Sequence, residues 1–141
     1  MALPLGPLLV AAGAFWALFA VALGAFGAHG LEGTLEQYNS VQTWQTAVDY
    51  QVTHALALLA VGVLAFGRSR PKGPWLALGI LWELGIICFS GSLYWLALDG
   101  PRWLGPVTPI GGVCFMVGWG WLFVWALRQC FGRSQESEAR S

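Results

Sequence analysis

The chain has 141 residues, of which 57% are apolar and only 10% are charged, with seven Lys or Arg balanced by seven Asp or Glu. This composition excludes a disordered chain, which needs low hydrophobicity and high net charge, and a nucleic-acid binder, which needs a basic surface. The three cysteines do not suit a disulfide scaffold. A membrane protein or an unusually apolar soluble domain remains.

The positions of the charges favour a membrane protein. Residues 1–31, 50–67 and 103–127 contain no charged residue, and Glu83 is the only one between Lys72 and Asp99. A helix needs about 20 mostly apolar residues to cross a bilayer. We therefore predict an all-α fold, a single four-helix membrane bundle over residues 1–130 that is followed by a polar cytoplasmic tail, 131–141. The predicted spans are residues 6–28, 47–67, 75–98 and 107–127.

A cleaved signal peptide is the alternative interpretation of the first span. However, no Lys or Arg precedes the apolar stretch, and the stretch is longer than the usual 7–15 residues. No A-x-A cleavage site ends it cleanly either. We therefore interpret residues 6–28 as a retained transmembrane helix.

The first connection, residues 29–46, predicts a short amphipathic helix on the outer surface that runs into the second span. Thr34 and Gln37 have the spacing of a capping box. Apolar residues then recur at helical spacing, at Leu35, Tyr38, Val41, Trp44 and Val48. An irregular, mildly apolar loop is the alternative.

The other two connections fix the direction of the spans. Residues 68–74 are short, basic and rich in Pro and Gly, and residues 99–102 form a second tight turn. Six of the seven basic residues then lie on the side of both termini, namely Arg68, Arg70, Lys72, Arg128, Arg133 and Arg140. Under the positive-inside rule, both termini are predicted to be cytoplasmic.

Small residues four positions apart indicate close helix packing. In the first span they are Gly13 and Ala17, followed by Ala20 and Gly24, and the fourth span contains Gly111, Gly112, Gly118 and Gly120. We expect both spans to pack tightly, within one chain or across a dimer. The alternative is that Gly and Ala are simply common in membrane helices.

Four ionisable side chains, His29, Asp49, His54 and Glu83, fall within or at the ends of the spans, where such groups are costly to bury. The rise of a helix places His54 and Glu83 on the order of 8 Å apart along the bundle axis. At this separation, long side chains from adjacent helices can meet directly or through one water.

Further polar residues lie beside these groups on the predicted helices. Asp49, Tyr50 and Gln51 lie within about a turn of His54. With the 100° rotation per residue of an α-helix, Ser90 and Tyr94 lie on the same face of the third span as Glu83. We therefore predict a polar pocket in the outer half of the bundle, with His29 at its edge.

Four interpretations of this pocket remain open. It forms a hydrogen-bond network that fixes helix register, a cavity for a lipid head group, quinone or other small molecule, a proton or ion path, or a metal or haem site. The two histidines lie on different helices and the cysteines have no paired spacing, which disfavours the metal site. The two halves share no repeat, which disfavours a transporter. We predict no catalytic residue, no metal ligand and no cofactor.

Several segments together resemble one known family. They are residues 24–31 (GAFGAHGL), 44–59 (WQTAVDYQVTHALALL), 89–94 (FSGSLY), 108–112 (TPIGG) and the pair Gly118-Trp119. In this order they resemble the YgdD/YwdK-like family of small bacterial integral membrane proteins of unknown function, domain of unknown function 423. The resemblance implies a four-helix protein of the bacterial inner membrane and adds Ser92, Thr108 and Pro109 to the residues worth testing. Glu83 lies outside these segments.

The function predicted from the sequence is that of a non-enzymatic accessory protein or a binder of lipid or another small molecule. A small oligomeric transporter or channel is the alternative, and a membrane redox subunit using His29 and His54 is a weaker one. Membrane lipids are the expected partners, a homo-oligomer or a larger membrane complex is left open, and no nucleic acid is expected.

Overall fold

A computed structural model describes residues 4–66 and 73–138, with side chains through Phe131. Every regular element in these ranges is helical. In chain order the elements are α1 (Leu5–Ala25), a π-helical turn (Phe26–Gly30), α2 (Glu32–Gln37), α3 (Val41–Ala65), α4 (Trp75–Gly85), a second π-helical turn (Ile86–Ser90), α5 (Gly91–Ala97), a 3-10 turn (Arg102–Leu104) and α6 (Val107–Glu138).

Four of the described helical segments are long and apolar enough to cross a membrane, which confirms the predicted fold. They are Leu5–Gly30, Val41–Ala65, Trp75–Ala97 and Arg102–Phe131. The helix α6 continues to Glu138, so the first part of the predicted tail is helical. The basic connection at residues 68–72, the predicted end of the second span at Gly67, and Arg140 lie outside the described residues.

The first connection contains the predicted short helix, but its predicted limits are wrong. Helix α2 begins at Glu32, without a side-chain cap, and ends at Gln37, so Thr34 and Gln37 do not form a capping box at its start. Asn39 then adopts a left-handed conformation with φ 51°, which asparagine tolerates better than most residues. Because this turn breaks the helix, the apolar residues from Val41 onward belong to α3.

A hydrogen bond joins this turn to the C-terminal end of the third span. The hydroxyl of Ser40 is buried and donates to the carbonyl oxygen of Ala97 at 2.6 Å. The same hydroxyl lies 3.3 Å from the carbonyl oxygen of Leu35. We call this end of the bundle, which holds α2 and the turn between α5 and α6, the α2 end. It corresponds to the outer end of the sequence prediction.

The four spans pack in sequence order, so the second and third spans lie between the first and the fourth. Helix α3 contacts α1 on one side and α4, the second π turn and α5 on the other, while α6 contacts α4 and that same π turn. Half of the apolar stretch of α3 is buried, against 17% in the first and in the fourth span. The first and fourth spans therefore form the periphery and expose apolar side chains along their length.

Glycines allow both peripheral spans to approach their neighbours closely. A Cβ atom at Gly13 would lie 2.8 Å from the carbonyl oxygen of Ala55 and from the backbone nitrogen of Leu59, both in α3. A Cβ atom at Gly111 would lie 2.4 Å from the backbone nitrogen of Phe89. Close packing of the first and fourth spans is therefore confirmed at Gly13 and Gly111, where their partners are the second and third spans. At Gly120 no neighbouring helix among the described residues lies within 4 Å of an added Cβ atom.

Candidate functional site

Five of the polar residues predicted to form one pocket divide into two separate groups. One group, built around Gln51, lies where α3 meets the first and third spans. The other, built around His54, lies in a cleft between α3 and α6. Gln51 lies in the half of α3 nearer the α2 end, whereas His54 lies at the middle of that helix, and different helices surround the two groups.

The Gln51 group is a hydrogen-bond network that joins three spans. The side chain of Gln51 is buried, and its Nε2 donates to the carbonyl oxygen of Trp16 in α1 at 2.9 Å. Its Oε1 accepts a hydrogen bond from the hydroxyl of Tyr94 in α5 at 3.0 Å. Both ends of the amide are therefore used, which fixes the relative position of α1, α3 and α5. This arrangement favours the register-fixing interpretation for Gln51 and Tyr94.

Aromatic contacts extend this network toward the α2 end. The ring of Tyr94 packs edge-on against the indole of Trp44, with centroids 4.7 Å apart. The indole nitrogen of Trp44 donates to the carbonyl oxygen of Leu23 at 3.0 Å. Trp44 thus links α3 to the first span by a second polar contact, close to the first π turn.

The second group lies in a cleft of about 480 Å³ between α3 and α6. Residues from α3, the second π turn and α6 form its walls, and they are mostly apolar or aromatic. Its lining residues are Asp49, Tyr50, Thr53, His54, Phe89, Gly112, Phe115, Met116 and Trp119. Asp49 is the only residue in this lining with a formal charge at neutral pH when histidine is neutral.

His54 lies at the base of the cleft with both ring nitrogens in hydrogen bonds. Its Nδ1 lies 2.8 Å from the carbonyl oxygen of Tyr50, which can only accept, so Nδ1 carries the hydrogen. Its Nε2 accepts a hydrogen bond from the indole nitrogen of Trp119 in α6 at 3.1 Å. The imidazole is therefore a neutral tautomer that bridges α3 and α6, and it has no lone pair left for a metal ion.

Aromatic rings form most of the remaining cleft wall. The ring of Phe115 stacks on His54, with centroids 3.4 Å apart and planes 11° apart. The ring of Tyr50 lies against Phe89, with centroids 4.4 Å apart. Tyr50 and Trp119 both line the cleft and are each 43% exposed. The cleft is thus a half-open aromatic groove.

Two further predicted residues, Ser92 and Thr108, join the third span to the start of α6. Their hydroxyl oxygens lie 2.6 Å apart, and the hydroxyl of Ser92 also donates to the carbonyl oxygen of Phe89 at 3.0 Å. This pair joins α5 to the start of α6. Neither residue lines the cleft itself.

The second π turn separates the residues that were predicted to share one stripe of the third span. A π turn holds more residues than an α turn, so Ser90 and Tyr94 no longer align with Glu83. Ser90 is fully buried, and its hydroxyl has no hydrogen-bond partner among the described residues. Glu83 is half-buried, and neither nitrogen of His54 bonds to it, so the two side chains form no direct hydrogen bond.

His29 joins neither group. It lies in the first π turn and is exposed. No three His, Cys, Asp or Glu residues lie close enough for a metal site within residues 4–66 and 73–131. The candidate site therefore reduces to the cleft, with Asp49, Tyr50 and His54 as its predicted members.

The sequence prediction missed the residues that α6 and the π turn contribute to the cleft, namely Phe89, Phe115, Met116 and Trp119. Their apolar character gave no signal against an apolar background. The spacing of Phe115 and Trp119, four residues apart, matches that of Tyr50 and His54. This matched spacing places each pair on a single helix face. The presence of Phe89 and Trp119 in the segments that resemble the family was the other available signal.

Comparison with known proteins gives related chains but no related structure. The family model described as "Protein of unknown function (DUF423)" matches residues 23–112. A UPF0382 membrane protein of Staphylococcus epidermidis is 50% identical over 108 residues, covering 76% of this chain and 84% of the relative. The UPF0382 membrane protein YwdK of Bacillus subtilis is 45% identical over 117 residues, covering 82% and 93%. No solved structure matches the chain significantly.

Proposed function

The chain belongs to the DUF423 family of bacterial membrane proteins of unknown function. From this premise we propose that it is a non-enzymatic protein that binds a lipid or another small molecule in the cleft between α3 and α6. The observation that carries the proposal is the cleft itself. Its volume, about 480 Å³, and its aromatic walls with a few polar groups are typical of ligand sites.

The polar groups of the cleft support binding over catalysis. A nucleophile needs a general base within hydrogen-bond reach. The hydroxyl of Thr53 instead donates to the backbone oxygen of Asp49 at 2.8 Å, and both nitrogens of His54 are occupied. Such groups orient a ligand but supply no activated nucleophile. The same occupied nitrogens weigh against a redox subunit that uses His54 as a ligand.

A small oligomeric transporter or channel has weaker support. A path across the membrane needs polar groups along its length. Beyond the cleft, toward the end opposite α2, the interior consists of the apolar cluster that includes Leu58, Val61, Leu78 and Trp82. The observed polar groups therefore favour a site that is open at one side and closed at its inner end.

The binding proposal predicts that a larger side chain at Gly112 will empty the cleft. Gly112 lines the cleft, and a Cβ atom there would lie 3.8 Å from the ring of Phe89, so the start of a side chain fits without backbone movement. In Gly112→Leu, the remaining side-chain atoms would occupy the ligand volume. We expect native mass spectrometry of the wild-type protein in mild detergent to show a bound small molecule that this variant lacks.

Gly120→Leu is the matched control. It makes the same change in the same helix, at a position with no atom within 4 Å of the added Cβ and outside the cleft. It should retain the bound molecule. A wild-type protein that carries no bound small molecule when purified from bacterial membranes, or equal retention by all three proteins, would contradict binding in the cleft.

We further propose that both termini face the cytoplasm of the bacterial cell, with the α2 end outside. Six of the seven basic residues, all except Arg102, belong in the sequence to the connection between the second and third spans or lie at or after the end of the fourth span. Fusion of green fluorescent protein after residue 141 should fluoresce, and alkaline phosphatase at the same point should be inactive. Phosphatase inserted at Gly100 should be active, and the reversed pattern would refute this orientation.

Membrane lipids are the proposed partners of the peripheral spans. Phe15, Leu18 and Val21 in α1 are exposed, as are Met116 and Phe123 in α6. Side chains of this kind are stable in contact with lipid acyl chains, whereas a soluble protein would expose few such surfaces.

A further inference from the structure

We infer that the cleft between α3 and α6 takes a lipophilic organic cation, whose charged centre lies near Asp49 and whose apolar body lies against Tyr50, Phe89 and Trp119. This inference rests on the proposed binding function and adds the chemical class of the ligand. It depends on three features of the cleft, namely its carboxylate, its aromatic faces and the absence of cationic groups from its lining.

The carboxylate of Asp49 is exposed at the cleft, and part of its bonding capacity is free. Its Oδ1 accepts a hydrogen bond from Nε2 of Gln45 at 2.7 Å. No described residue bonds to its Oδ2 or forms an ion pair with it. A carboxylate held beside an apolar groove without a cationic partner attracts a positive charge more strongly than one in open water.

The aromatic residues of the cleft also favour a positively charged ligand. The faces of Tyr and Trp rings carry negative potential, and a cation within about 6 Å of a ring centroid is attracted to them. Tyr50 is adjacent to Asp49 in sequence, and Tyr50 and Trp119 line the two sides of the cleft and are partly exposed. A carboxylate combined with several ring faces is a typical site for an organic cation.

The lining disfavours anionic and zwitterionic ligands. No Lys or Arg lines the cleft, so a phosphate group would find no cationic donor and would lie near the Asp49 carboxylate. The other charges at the α2 end have the same effect, since Glu32, Glu36 and Asp99 outnumber Arg102. Their summed field raises the local concentration of cations. The ligand is therefore a free lipophilic cation and not a phospholipid.

Two ions of matched shape and opposite charge, tetraphenylphosphonium and tetraphenylborate, test the inference. Binding of each ion to the protein in lipid nanodiscs is measured by equilibrium dialysis against empty nanodiscs of the same composition. We expect saturable binding of tetraphenylphosphonium and weaker or no saturable binding of tetraphenylborate. Asp49→Asn should weaken binding of the cation on the order of tenfold, because it removes the only charge from the cleft lining.

Asp99→Asn is the matched control, because it removes one negative charge at the α2 end outside the cleft. Its left-handed backbone, φ 58°, is compatible with asparagine. It should change binding of the cation less than twofold, while Trp119→Leu should weaken binding through loss of a ring face. Thermal melting of each variant verifies that it is folded.

The outcomes separate this inference from the binding proposal on which it rests. Equal binding of both ions, no binding of the cation, or equal effects of Asp49→Asn and Asp99→Asn would overturn the cationic ligand. The cleft would still be a binding site if Gly112→Leu removed the molecule bound to the native protein. If Gly112→Leu also retained the bound molecule, both proposals would be overturned.

Discussion

Gly13→Val is expected to lower the free energy of unfolding by about 1–3 kcal/mol, the usual cost of overpacking a tight contact. The new side chain would meet backbone atoms of Ala55 and Leu59, which cannot rotate away as a side chain can. Helix α1 would have to move away from α3, and the buried contacts on both sides of Gly13 would loosen. Equilibrium unfolding in mixed dodecyl sulfate micelles measures this change.

Gly120→Val controls for the intrinsic effect of valine in a helix. Apart from neighbouring parts of α6 itself, no described atom lies within 4 Å of a Cβ at Gly120. The substitution should therefore change the free energy of unfolding only by the difference in helix propensity, which is small and favours valine. Equal destabilisation by Gly13→Val and Gly120→Val would show that the close approach of α1 and α3 is not what stabilises this part of the bundle.

Gln51→Leu is expected to destabilise the bundle by roughly 1–3 kcal/mol. Leucine preserves most of the buried volume but removes the hydrogen bonds to the backbone of Trp16 and from the hydroxyl of Tyr94. Hydrogen bonds between membrane helices contribute about 0.6 kcal/mol on average and up to about 1.7 kcal/mol each. The same unfolding titration measures the loss, while the binding of ligand in the cleft should change little.

A double-mutant cycle with Tyr94→Phe tests the origin of that loss. Because both substitutions remove the same hydrogen bond, the double variant should lose less stability than the sum of the two single losses. Gln45→Leu makes the same chemical change at an exposed position of α3 and should cost less. Additive losses in the cycle would indicate that the hydrogen bond between Gln51 and Tyr94 does not contribute to stability.

The limits of the helices show where sequence and structure diverge. The predicted third span, 75–98, agrees with Trp75–Ala97 to within one residue. The second span begins at Val41 and not near 47, because Trp44 is buried against the first span and its indole bonds to the backbone of Leu23. Its amphipathic start resembled a surface helix, and only the tertiary contact makes it part of the span.

The site shows a larger difference. The sequence identified Asp49, Tyr50 and His54 because polar groups are rare in an apolar chain. It did not identify Trp119 and Phe115, which complete the cleft, and it placed Glu83 beside His54. The π turn at Ile86–Ser90 changes the angular positions after Glu83, and no periodicity rule that assumes a uniform helix can anticipate this change.

The sequence by itself determined that this protein is a four-span helical bundle, because the transfer of a segment into lipid depends on the composition of that segment alone. It also determined which polar side chains have to find partners inside. Only the tertiary structure decided which partners they find, and it divided them between the Gln51 network and the cleft at His54. The partners depend on how closely the helices approach at glycines and on how their faces are oriented. The left-handed turn at Asn39 and the π turn at Ile86–Ser90 set that orientation.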